Sequence, residues 1–458
     1  MGLLKVLLIH VGNLNNKGTQ ALLKSDVSLV KEIFSNAVFY VSTTDVEGVA
    51  RFGCFERVLS AFIDIPYEKA DFYAKRLGFS RDSWRYKVFA FACLFWMFVE
   101  LLMAAMSTVM IKIGLKPFYR AALLEEIKES DVVISYSDEN FKEGATFLPS
   151  NVYWVLSWWS MLISRAWIVL AVKFLGKRLV MFPNSVGGFQ TWVGRSIAKL
   201  ALNKFDYILV REPCSLKTVT LLGVKAPVLM AADTTLLLKA NKSGNFSGFR
   251  RPLMSVSLGV YSHTLSEKGI KWFVNVCSRA LDSAVEKYGF NVVFLPHYVS
   301  GFRFDDLEIS KLIYGSMKFK DRARIMNPLT LEEYMALLSE ADIVLSSKMH
   351  PAVLATASHV PTLCIVYDDK QAGFYEQLGL TDCTLPVTRL SSKSLLSKID
   401  HVWSRRDNIK TVLNSRIPEL KERIRLTVKM VLTQHVKNAA YQGGSSVQNH
   451  LPEYAVGG

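Results

Sequence analysis

Two α/β domains, each a parallel sheet covered by helices and facing the other across a cleft, are predicted for this chain by three observations. Its length of 458 residues exceeds the size at which one hydrophobic core keeps growing. Short β-rich runs alternate with helical ones along most of it, the pattern of parallel sheets sheathed in helices. A polar, glycine-bearing stretch at 239–252 divides that alternation in two. The boundaries that follow are an N-terminal domain at 1–238, a linker at 239–252, a C-terminal domain at 253–436 and a disordered polar tail at 437–458, which cannot build a core.

The first series of strands is expected at 5–11, 37–41, 131–135, 178–182, 207–210 and 228–230, and the second at 253–258, 291–295, 342–345 and 362–366. Each is a short run rich in β-branched residues, closed by Gly, Asn, Pro or a charge. Helical spacing of apolar residues between them predicts helices near 19–34, 196–203, 215–222, 269–287 and 331–339, and the domain closes on a basic helical run at 417–436. Residues that carry chemistry cluster just after the strands, where open α/β sheets place ligand groups.

Fifty-five Lys and Arg against 40 Asp and Glu give a formal charge of +15, which favours anionic partners such as phosphorylated metabolites or anionic lipid. No aromatic-basic recognition motif accompanies the charge, which argues against nucleic acid. The six cysteines are scattered without Cys-x-x-Cys or zinc spacing, so reduced thiols, no metal and a cytoplasmic location are expected. The opening Met1-Gly-Leu-Leu-Lys-Val-Leu-Leu-Ile9 leads straight into a Gly/Asn loop and reads as a first strand rather than a secretory signal.

Two apolar segments complicate this picture. Residues 88–113 are long enough to span a bilayer, but Glu100 sits near their middle and Arg76, Arg81, Arg85, Lys87, Lys112 and Lys116 flank both ends. A helix lying on an anionic membrane at the inner face of the plasma membrane fits that pattern better than a span, and a buried helix is the alternative. Residues 152–170 carry four tryptophans and pose the same choice.

In Ser346-Ser347-Lys348-Met349-His350-Pro351 a strand ends, a turn follows and a helix begins, with Pro351 suited to the first helical position. Free N–H groups and the positive helix end there converge with Lys348 and His350, a place that attracts phosphate or carboxylate; otherwise His350 caps the helix and Lys348 is a surface charge. Gly12-Asn13-Leu14-Asn15-Asn16-Lys17-Gly18 permits close backbone approach before another helix, yet has neither dinucleotide nor Walker spacing. Phe182-Pro183-Asn184-Ser185-Val186-Gly187 repeats the theme or is a plain turn. Arg211 either forks onto an anionic ligand or pairs with Glu212 or another acid, with Ser215 as the cap of the next helix. Asp233 caps a helix or faces the cleft, and His297 contacts substrate or is structural. Tyr367-Asp368-Asp369-Lys370 puts a second acid and a lysine on the same edge as Lys348 and His350.

Taken together, Leu331–Asp342, Ser346-Ser347-Lys348-Met349-His350, Val360-Pro361, Tyr367-Asp368-Asp369-Lys370 and Gly373-Phe374 through Leu378-Gly379-Leu380 resemble the polysaccharide pyruvyl transferase family. The resemblance continues at Asn16-Lys17-Gly18-Thr19-Gln20-Ala21, Asn184-Ser185-Val186-Gly187, Arg211–Ser215 and Asp233, and leaves an insertion at about 70–130. It departs from the family pattern at three points. Lys348 stands where arginine is usual, keeping charge without the bidentate fork, Gly188 stands where proline is common, and Ser135–Asn140 replaces a glycine-rich turn.

The resemblance implies two Rossmann-like domains in a glycosyltransferase B-type arrangement with an apolar helical insertion. It implies transfer of the pyruvyl group of phosphoenolpyruvate to a sugar of a surface polysaccharide or its lipid-linked precursor, as a ketal, without a cofactor. On that basis the catalytic candidates are His350, Asp233 and Asp138. The substrate-binding candidates are Asn16, Gly18, Asn184, Ser185, Arg211, His297, Ser347, Lys348, Tyr367, Asp368 and Lys370. A glycosyltransferase with a nucleotide-sugar donor and a membrane scaffold without catalysis are the alternatives.

Overall fold

The computed structural model describes residues 3–80, 83–143, 152–241, 250–260, 266–301 and 304–440. Much of the expected linker, the tail beyond 440 and the flanking Arg81 therefore lie outside the described residues. In chain order the N-terminal part runs β1 (Leu4–Val11), α1 (Lys17–Ile33), β2 (Ala37–Thr43), α2 (Val46–Phe52), β3 (Arg57–Ser60), α3 (Pro66–Leu77), α4 (Trp84–Lys112), α5 (Ala121–Glu129), β4 (Val132–Ser135), β5 (Phe141–Lys142), α6 (Val152–Phe174), β6 (Leu179–Asn184), β7 (Val186–Gly187), α7 (Trp192–Leu202), β8 (Tyr207–Val210), α8 (Pro213–Leu221) and β9 (Val228–Met230). The C-terminal part runs β10 (Leu253–Ser257), α9 (Glu267–Tyr288), β11 (Asn291–Phe294), α10 (Asp306–Ser316), β12 (Ala323–Ile325), α11 (Leu331–Glu340), β13 (Ile343–Ser346), α12 (Met349–Ala357), β14 (Thr362–Val366), α13 (Asp369–Leu378), β15 (Thr384–Pro386), α14 (Ser392–Ser404) and α15 (Arg406–Ala440).

Both large sheets are wholly parallel. Their orders are β3-β2-β1-β4-β6-β8-β9 and β12-β11-β10-β13-β14-β15. Counted within each sheet, both begin 3-2-1-4-5-6, so each domain is Rossmann-like and reverses its strand order beside its first strand. Strands β4, β6, β8, β10, β13 and β14 are buried at nearly every position, as expected of sheets covered on both faces. The expected strands all form; the edge strands β3, β12 and β15 add to them.

The insertion forms α3, α4 and α5 between β3 and β4. Glu100 of α4 is buried, and its carboxylate takes Lys69 Nζ at 2.9 Å, Trp96 Nε1 at 3.2 Å and the Asp64 N–H at 3.3 Å. One face of α4 is thus pinned to its own domain. Helix α6 is the crossover between β4 and β6: 56 % of its most apolar stretch is buried, against 28 % for α4. Its Leu162, Val169 and Val172 belong to the domain core.

Helix α15 does not stay with the C-terminal domain. Gln434 accepts from the Tyr207 hydroxyl at 2.8 Å and Arg425 meets Glu32 at 3.0 Å, both on the N-terminal side. The last helix therefore straps the two domains together, and Val428, Val431 and Leu432 join one apolar cluster with residues of both.

Candidate functional site

The carboxyl ends of the two sheets face each other, and the switch points of both meet. From the N-terminal domain come the loop after β1 and the turn after β4. From the C-terminal domain come the loop after β10 and the turn after β13. Asn16 caps α1, its Oδ1 accepting from the Gly18 N–H at 2.8 Å. The same N–H donates to His297 Nε2 at 3.2 Å, and the Lys17 N–H donates to the His297 carbonyl at 3.1 Å. The first turn of α1 is therefore docked on the other domain.

After β13, Ser347 Oγ donates to the Gly259 carbonyl at 2.7 Å and accepts its N–H at 2.9 Å, tying together the two loops at the C-terminal switch point. Lys348 is extended and occupies the cap position of α12, with its Nζ 3.4 Å from Asp306 Oδ1. Pro351 is the third helical residue rather than the first, because the chain turns helical at Met349. Any residue of a first turn tolerates loss of an N–H that has no intrahelical acceptor. His350 is neither the cap nor a surface residue. Its Nε2 lies 3.8 Å from Asp233 Oδ2, and its ring lies 6.2 Å from that of His297, within 18° of parallel.

Arg211 is wholly buried. Its Nη1 donates to Asp233 Oδ2 at 2.9 Å and its Nε to Ser185 Oγ at 2.7 Å, with Glu212 at 3.5 Å. Asp233 also caps the 3-10 turn Thr234–Leu237, accepting from the N–H of Thr235 at 3.0 Å and from its hydroxyl at 2.5 Å. Four buried atoms here have no hydrogen-bond partner: Arg211 Nη2, His350 Nε2, His297 Nδ1 and Glu212 Oε2. An unsatisfied buried polar atom costs about 1–3 kcal/mol, which makes these four the groups of the cluster with capacity left for a ligand.

Burial sets the protonation states first. It carries His350 down to about 4, assisted by Arg211 and Lys370 and opposed by Asp233, and it drives His297 well below the ordinary imidazole range. For Asp233 burial acts upward, but Arg211 and His350 outweigh it and hold the carboxyl below its ordinary range. Burial lifts Glu212 to about 7 against the pull of Arg211. The protein alone thus holds neutral imidazoles beside an ionised Asp233.

A second cluster crosses the same interface. Glu139 takes Lys142 at 3.0 Å and Lys370 at 2.5 Å, while Lys142 also pairs with Asp368. The two lysines outweigh burial and hold Glu139 well below the ordinary carboxylate range. Asp138 is half-buried and accepts from the Tyr136 hydroxyl at 2.8 Å.

The structure thus gathers Asn16, Gly18, Ser185, Arg211, Asp233, His297 and His350 into one cluster, with Ser347 and Lys348 beside it and Asp368 and Lys370 in the neighbouring ion-pair group. Two expected contacts sit differently. Asn184 is fully buried and spends its amide on the Asn140 N–H and the carbonyls of Tyr136 and Phe182, so it positions the turn after β4. Tyr367 is buried and its N–H donates to Gln371 Oε1 at 2.9 Å. Ser215 is not the cap of α8, since Glu212 holds that position and Pro213 opens the helix. Its hydroxyl instead bonds Glu212 and accepts the Val186 N–H.

Sequence reasoning passed over Glu139, Lys142, Asp306 and Gln371. Gln371 Nε2 donates to the Ser347 carbonyl at 3.0 Å and so braces the turn before α12. Glu139 lies next to Asp138, but a lone charge in a polar loop carries no sign of its partner 231 residues away. Among the described residues, no three His, Cys, Asp or Glu side chains are grouped to hold a metal ion.

Comparison with known proteins agrees with this architecture. The crystal structure of UDP-GlcNAc 2-epimerase from Neisseria meningitidis superposes with a TM-score of 0.56 at 11 % identity, covering 94 % of this chain and 100 % of that one. The enzyme of that name from Methanocaldococcus jannaschii gives 0.56 at 10 % identity, covering 94 % and 100 %. At such identities the likeness establishes the fold, two Rossmann-like domains in a glycosyltransferase B-type arrangement. The amylovoran biosynthesis protein AmsJ of Erwinia amylovora is 21 % identical over 248 residues, 51 % of this chain and 60 % of that protein. The profile of the polysaccharide pyruvyl transferases matches residues 23–369, well over half of the chain and most of both domains, so the chain belongs to the polysaccharide pyruvyl transferase family.

Proposed function

We propose that the chain moves the pyruvyl group of phosphoenolpyruvate onto a sugar of a surface polysaccharide or its lipid-linked precursor, as a ketal. The observation that carries this reading is the pair of buried, unpartnered nitrogens, Arg211 Nη2 and His350 Nε2, set against Asp233 at the meeting of the two switch points. A small polyanion with a phosphate and a carboxylate would satisfy both and add the first turn of α12 and Lys348 to its partners.

In the reaction so written, the methylene carbon of the donor gains a proton, two sugar hydroxyls attack the adjacent carbon and phosphate departs. Of the two hydroxyl protons, one makes up the methyl group in net terms and the other leaves with phosphate. No redox cofactor or metal is called for. Neutral in the empty protein, His350 gains affinity for a proton as the polyanion enters, and Asp233 stabilises the imidazolium it becomes. It then delivers that proton to the methylene carbon. Asp138, half-buried and not spent on Arg211, accepts from the attacking hydroxyl.

The test is incubation of pure protein with phosphoenolpyruvate and a glycan acceptor, following phosphate release and the acceptor's mass, beside titrations with nucleotide sugars. Phosphate release that needs both substrates, with a pyruvyl mass gain, is expected. Binding and turnover of a nucleotide sugar with phosphoenolpyruvate inert would replace this reading by a glycosyltransferase, and binding of neither by a scaffold.

A further inference from the structure

Helix α4 shows two faces of opposite character. Tyr86, Ala90, Cys93, Met97, Glu100 and Ala104 point inward, with Glu100 bonded to Lys69. On the other side Val88, Phe91, Phe95, Phe98, Leu102 and Met106 recur every three or four residues, all more than half exposed, Phe95 by 72 %. At 1.5 Å per residue these form an apolar ridge about 27 Å long, presenting on the order of 600 Å². A patch that large on one chain marks an interaction surface.

Charge selects the occupant. Exposed Arg85 and Lys87 stand at one end of the ridge and exposed Lys112 and Lys116 at the other, and the helix's one acid, Glu100, is buried. A second copy packed along this ridge, parallel or antiparallel, sets basic ends against basic ends. A span is excluded by the inward face, which is packed on the chain's own domain around a carboxylate at mid-helix. An anionic bilayer surface answers all of it: acyl chains take the ridge, headgroups take both basic ends, and the exposed Trp84 and Trp96 suit the boundary between.

We infer that α4 docks the protein flat on an anionic lipid surface, with the Val88–Met106 ridge sunk among the acyl chains. The inference sharpens the sequence expectation for residues 88–113 by fixing which face is buried in lipid and which in protein. It rests on this ridge and not on the pyruvyl chemistry.

The test is sedimentation of the full chain with phosphatidylcholine vesicles with and without phosphatidylglycerol. Binding is expected only to the anionic vesicles, weakened about 20- to 30-fold by Arg85→Gln with Lys87→Gln. It is lost in Phe95→Asp with Leu102→Asp, and strongly reduced in the milder Phe91→Ser with Met106→Ser, both at unchanged melting temperature. Three results overturn the inference: no binding to anionic vesicles, equal binding to neutral ones, or a stable dimer that the ridge variants abolish while vesicle binding is absent. Sedimentation reads no turnover, so failure here and failure of the transferase reading are separate results.

Discussion

Gly18 of the N-terminal domain lies so close to His350 of the C-terminal domain that a Cβ at position 18 would stand 2.3 Å from His350 Nδ1. The glycine is needed for the approach of two domains and not for local conformation, since position 18 is an ordinary helical one. Gly18→Ala should gain up to about 1 kcal/mol of helix propensity yet displace His350. Turnover is expected to fall by about 100-fold or more while the melting temperature changes little, measured by phosphate release and calorimetry.

Asp233→Asn tests the link between Arg211 and His350. It leaves Arg211 buried with less compensation, a loss of about 3–5 kcal/mol by analogy with broken buried pairs, and removes the charge that raises His350. Urea unfolding should show the loss, and His350 should titrate at lower pH by NMR than in the parent protein.

The pH dependence has a definite sign. His350, held at about 4, and His10, held at about 3 mainly by burial, bind a proton in the unfolded chain near 6.5 but not in the folded one. Their contribution is present above about pH 6.5 and is lost as pH falls toward 4, because the unfolded state then binds more protons. Asp26, lifted to about 7 by burial, works in the opposite sense, adding stability as pH falls through 7. His350→Gln should therefore flatten the acid limb of a stability profile from pH 7 to 4.

Lys142 is shared by Glu139 and Asp368 across the interface. Lys142→Met should cost about 3 kcal/mol, and the double variant with Asp368→Leu should recover part of it, because an unpaired buried charge costs more than an absent pair. A double-mutant cycle by chemical denaturation measures the coupling.

Lys348 reaches Asp306 at 3.4 Å with its side chain still partly exposed. Lys348→Arg restores a planar fork for a carboxylate or phosphate, so the KM for phosphoenolpyruvate is expected to fall about threefold to tenfold with kcat little changed.

Much of the fold was legible because strand length, alternation and turn residues are local properties: ten strands and both switch-point loops could be placed from the sequence. So could the positions of Lys348-Met349-His350 and Asn16-Lys17-Gly18 where a helix follows a strand. The helical insertion around α4 was visible as composition, but not which of its faces was free.

Pairing across the two domains was decided by tertiary structure alone. That Arg211 is spent on Asp233 and Ser185 rather than open to solvent, that Glu139 and Lys142 meet Lys370 and Asp368, and that α15 returns to bind Tyr207 all depend on segments far apart in the chain. The sequence by itself determined which groups stand at the strand ends. Which groups face each other, and so which nitrogens are left without partners, was set by the packing of one sheet edge against another, and no local pattern encodes that distance.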